Sequence, residues 1–145
     1  MTKGTVFTAC GLIGAYIASL FGGWTQGMTT LVILMIIDYV TGLLVAAVFH
    51  KSKKTEDGKL ESRAGWKGLV RKGVTLLIVL VATRIDLLIG TNFVRDATVI
   101  GFAANEVLSI VENAGLMGVP MPKAFINAIE VLQKQADNYK EEGRE

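Results

Sequence analysis

Apolar positions run almost without interruption along the first third of the chain. Between Gly4 and Phe49 the one charged residue is Asp38. A hydrophilic stretch follows from Lys51 to Lys72. Apolar sequence then resumes to about Val111, broken by Arg84, Asp86, Arg95, Asp96 and Glu106. A surface helix of a soluble protein must show solvent a polar face. These runs lack that face, and each approaches the ~20 residues that cross a hydrocarbon core. The pattern predicts an all-α integral membrane protein with about four transmembrane helices, roughly 4–23, 28–49, 73–90 and 96–115, plus a C-terminal amphipathic helix.

The breaks are also legible. Gly22-Gly23-Trp24-Thr25-Gln26-Gly27 reads as a turn, with Trp24 as an interfacial anchor. Thr91-Asn92 begin a second turn, and Gly118-Val119-Pro120-Met121-Pro122 ends the fourth span. Beyond it, Phe125, Ile129, Leu132 and Ala136 recur at helical spacing, and Pro122 suits the first turn of a helix. Glu130 and Lys134 form an i, i+4 pair on another face. That tail is expected on the inner membrane surface or against a neighbouring subunit. Its end, Lys140–Glu145, is expected to be unstructured.

At 145 residues, the chain is read as one membrane domain, 1–145, with a basic loop at 51–72 and a helical tail at 123–145. Of its 15 Lys and Arg, eight fall between Lys51 and Lys72. The positive-inside rule puts that loop in the cytoplasm. Alternation then makes both termini cytoplasmic and both short turns external. Cys10 is the single cysteine, which excludes an intrachain disulfide. No small-x-small site ends the first run, so a cleavable signal peptide is not expected.

The first span carries small residues four apart: Gly11, Ala15, Ser19, Gly23 and Gly27. Such rows let helix backbones approach closely in lipid. Two partners suit this row, another span of the same chain or a second subunit. Met28 offers an internal start that would remove the first span.

Four charged residues are expected at membrane depth: Asp38, Arg84, Asp86 and Glu106. Each costs about 2.5–3.5 kcal/mol at a bilayer centre if unpaired. Arg84 is the only cation expected near the carboxylates, so one ion pair leaves carboxylates over. These must be protonated or face water. Arg84 and Asp86 lie two apart and point to different sides of their helix. On the fourth span, Asn105, Ser109, Glu112 and Asn113 form a polar stripe, with Glu106 beside it. The stripe suits either a polar seam between helices or a surface that meets water once subunits assemble.

Enzymatic chemistry finds no support. The single histidine, His50, ends a span, and no metal cluster, phosphate loop or nucleophilic triad is present. No cofactor, metal or nucleic acid is expected. The basic loop is suited to anionic lipid headgroups.

Three blocks carry a resemblance. They are Ile37-Asp38-Tyr39-Val40-Thr41-Gly42-Leu43-Leu44, the segment Ser62–Lys72 with Gly65, Lys67-Gly68-Leu69 and Lys72, and Asn105–Asn113 followed by Gly118–Pro122. Together they resemble the phage-lysis and toxin-secretion holin family of phages infecting Gram-positive bacteria. The resemblance implies a homo-oligomer in the host cytoplasmic membrane that opens a timed lesion for an endolysin or toxin. It also implies an antiholin as a candidate partner. The competing readings are an antiholin itself and a small transporter or channel subunit, which would also use mid-membrane carboxylates.

Overall fold

A computed structural model describes residues 2–142 as five helices. They are α1 (Lys3–Leu20), α2 (Gln26–Ala47), α3 (Ser62–Ile89), α4 (Phe93–Leu116) and α5 (Lys123–Glu142). Residues 143–145, part of the expected charged end, lie outside the described residues, whereas Lys140–Glu142 belong to α5. Three helices, α1, α2 and α4, are long and apolar enough to cross a membrane.

Helix α4 is the hub, packing against α2, α3 and α5. It runs parallel to α2. At one end a Cβ on Gly27 would meet Val99 Cγ1 at 3.3 Å, and at the other a Cβ on Gly42 would meet Asn113 Nδ2 at 3.8 Å. The apolar core fills the first of these ends. Phe21, Met28, Leu31, Met35, Val79, Val99 and Ala103 are buried there together. Met28, the candidate internal start, is fully buried in it. The opposite end is polar.

Helix α3 departs from expectation. It starts at Ser62, inside the stretch read as a loop over 51–72. The sequence there is polar but contains no proline, and its two helical glycines, Gly65 and Gly68, approach the Tyr39 ring. At 28 residues, α3 is about 42 Å long. That exceeds a ~30 Å hydrocarbon core, so its basic first turns project beyond such a core.

Two turns are built locally. Phe21, Gly22 and Gly23 close α1, with φ of 69° and 93° at the two glycines, a region that side chains with a Cβ rarely enter. Trp24 packs edge-on against Phe21 at 6.1 Å and donates to Thr29 Oγ1 at 2.9 Å. Thr25 caps α2 by accepting from Met28 N. Helix α1 itself has no buried residue. Gly11, Ala15 and Ser19 are exposed, so the small-residue row finds no partner within the described chain except at its end, where Gly27 faces Val99.

Helix α5 also differs from its expected place. It folds back along α4 instead of leaving it. Ile129 and Ala136 are buried, and Tyr139 reaches Phe93 at the far end of α4, with ring centroids 5.4 Å apart. The C-terminal end of α5 therefore lies beside the start of α4, the end that the sequence assigned to the outside. Of the expected apolar face, Ile129, Leu132 and Ala136 turn inward, while Phe125 is exposed.

Candidate functional site

The polar end of the bundle is organised by one lysine. Lys72 Nζ donates to Asp38 Oδ2 of α2 at 2.7 Å and to Glu106 Oε2 of α4 at 2.5 Å. All three side chains are largely buried, with relative exposures of 14% for Lys72, 8% for Asp38 and 14% for Glu106. Asn113, two turns further along α4 at i+7 from Glu106, completes the cluster. Its Nδ2 donates to Asp38 Oδ1 at 3.3 Å and to Thr41 Oγ1 at 3.0 Å. Three helices are thus tied by one cation, two carboxylates and one amide. The ions sum to −1 when both carboxyls are charged, so one proton neutralises the group.

Lys72 is the cation that the sequence reading lacked. Arg84, expected in that role, is exposed on α3 and forms no salt bridge among the described residues. Spacing could have found Lys72: Gly65, Gly68 and Lys72 stand at i, i+3 and i+7, one face of a helix. The two glycines bring that face against Tyr39, and Lys72 follows on the same side toward Asp38.

Asp86 is placed elsewhere. It is buried in the last turn of α3, where Oδ1 accepts from Thr91 Oγ1 at 2.5 Å and Val94 N at 3.0 Å. Oδ2 accepts from Arg95 N at 2.7 Å. It thereby satisfies N–H groups that the first turn of α4 leaves open. The polar stripe of α4 divides. Glu106, Ser109 and Asn113 turn toward α2 and α3, while Asn105 and Glu112 are exposed.

A cavity of about 260 Å³ opens beside the cluster toward the Lys51–Glu61 loop. Asp38, Lys72, Asn105, Glu106, Ser109 and Glu112 contribute to its wall, so water can approach ionic groups otherwise enclosed by helices. The arrangement has the makings of a charge cluster that can exchange helix partners for water.

These features define a helical membrane protein with an ionic cluster among its apolar helices. The chain belongs to the bacteriophage holin family, whose model matches residues 15–134. It is similar to a protein of Bacillus phage phi105 named as a probable holin, 36% identical over 121 residues and 83% of each chain. It is also similar to an uncharacterized protein of Listeria innocua, 34% identical over 88% of this chain and 86% of the relative. A third, an uncharacterized protein of Halalkalibacterium halodurans, is 36% identical over 84% of this chain and 89% of the relative. No solved structure matches.

Proposed function

We propose that the chain is a holin that accumulates in the host cytoplasmic membrane, oligomerises and opens a lesion through which an endolysin or toxin passes. Family membership makes a non-enzymatic role the natural one. The observation that carries the mechanism is the Asp38–Lys72–Glu106 cluster. In a single copy, the two carboxylates and the lysine satisfy one another among three helices. When copies assemble, the same groups can turn to a water-filled lumen without leaving a bare charge in hydrocarbon. The exposed Asn105 and Glu112 extend that polar surface.

Four spans suit this reading: α1, α2, the apolar part of α3 from Gly73 to Ile89, and α4. The basic start of α3 and the loop before it face the cytoplasm, as does the N-terminus. The small-residue row of α1 supplies a contact between subunits. Helix α5 begins at the cytoplasmic end of α4. Its outer face carries Lys123, Glu130 and Lys134, which need water or a neighbouring subunit wherever the helix lies.

The test is membrane potential, followed with a dye alongside cell density during induced expression in a bacterium. Abrupt depolarisation after a delay is expected. Asp38→Asn and Glu106→Gln should shift the onset, because each alters the charge that assembly must solvate. Variants that insert, oligomerise and depolarise like the parent would remove the cluster from the mechanism. A stable potential at high, correctly inserted expression would favour an antiholin or transporter.

A further inference from the structure

A second charged feature adjoins the ionic cluster without forming an ion pair with it, and shares Lys54, Glu61, Ala64 and Arg71 with the wall of the cavity there. Arg63, Lys67 and Arg71 stand at i, i+4 and i+8 on the projecting part of α3. With Lys54 from the preceding loop, they line a cleft of about 220 Å³ that also contains Glu61 and Ala64. Four cations thus face one carboxylate. None of the four forms a salt bridge among the described residues. Like charges at i, i+4 disfavour a helix, so the row is a liability unless an anion relieves it.

The neighbouring strip of the same helix is apolar and exposed. Trp66 is 66% exposed, Leu69 48% and Val70 46%. The third side, Gly65 and Gly68, is occupied by Tyr39. This segment therefore presents cations and, alongside them, a tryptophan with two aliphatic side chains. It does so where α3 leaves its apolar stretch, the depth at which tryptophan belts and headgroups meet.

We infer that this cleft binds the headgroup phosphate of an anionic phospholipid, with the acyl chains lying along Trp66, Leu69 and Val70. The inference rests on the membrane reading above. It goes beyond general attraction to a charged surface, because the cations converge on one cleft and the apolar strip is continuous with it.

Bromine-labelled lipid tests the assignment. Full-length protein carrying Trp24→Phe retains Trp66 as its one tryptophan. It is reconstituted in phosphatidylcholine vesicles with a minor fraction of dibrominated lipid, which quenches indole emission on contact. Dibrominated phosphatidylglycerol is expected to quench about fivefold more effectively than dibrominated phosphatidylcholine, the factor one near-surface cation contributes. Arg63→Gln, Lys67→Gln and Arg71→Gln together should abolish the preference. Lys51→Gln, Lys53→Gln and Lys59→Gln together remove as much charge outside the cleft and should leave it intact. Equal losses in both triple variants would reduce the effect to surface charge and overturn the site. Loss of the preference in buffered inorganic phosphate would assign the cleft to free phosphate and overturn the lipid. Carbonate extraction separates the two readings. Parent protein stripped from vesicles sinks the membrane reading and the lipid site together, whereas resistant protein without a preference sinks the lipid site alone.

Discussion

Lys72→Met is expected to destabilise the folded protein by about 3–5 kcal/mol, the loss typical when one partner of a buried ion pair is removed. The substitution nearly preserves side-chain length and leaves Asp38 and Glu106 facing each other without the ammonium that both now contact. Denaturant unfolding of the detergent-purified protein measures the loss, and membrane accumulation should fall with it. The triple variant Lys72→Met, Asp38→Asn, Glu106→Gln is expected to recover most of the stability, since replacing a whole buried ionic group is often neutral. Parent-like stability of the single variant would mean that the cluster does not form in the folded state.

The second large effect belongs to Asp86. Its carboxylate accepts from Thr91 Oγ1 and from the backbone N–H groups of Val94 and Arg95. Asp86→Ala removes all three acceptor contacts and leaves two N–H groups at the start of α4 without a partner. The expected cost is about 2–6 kcal/mol, at about 1–3 kcal/mol for each group left unsatisfied, and toward the lower end because both N–H groups are only part-buried. Asp86→Asn keeps one carbonyl acceptor and should lose roughly half as much by the same reckoning. The same unfolding measurement applies, and limited proteolysis should show faster cutting at Thr91–Asn92. Unchanged cutting and unchanged stability would remove the capping role. The lysine substitution weakens the polar end of the bundle, whereas this one loosens the turn at the apolar end, so the two should add when combined.

The sequence exposed the helices well where apolar runs and turn residues coincided. The α1–α2 turn at Gly22–Thr25 and the α3–α4 turn at Gly90–Asn92 fall where glycine and polar residues interrupt the runs. Helix α3 was harder, because a polar helix and a polar loop look alike to hydropathy. Its first turns are held by Tyr39, a contact between residues far apart in the chain. The carboxylates were visible as anomalies, but their cation was not. Lys72 sat at the end of a basic run whose charge topology already explained. The stripe of α4 was legible as a face, though the pattern did not say which flank α2 and α3 would cover. Similarly, the tail showed that one side of α5 must be buried without showing that α4 would bury it.

Helix α1 is energetically separable from the rest. None of its side chains is fully buried, and only its last turn, through Leu20, packs against the core, so Gly11, Ala15 and Ser19 have no folded neighbour to strain. Substitutions at Gly11, Ala15 or Ser19 therefore act on whatever meets α1 in the bilayer, leaving the α2–α5 unit intact. That makes the first helix a reporter of assembly uncontaminated by folding. A change in association caused there can be read directly as a change in contact between copies or with lipid.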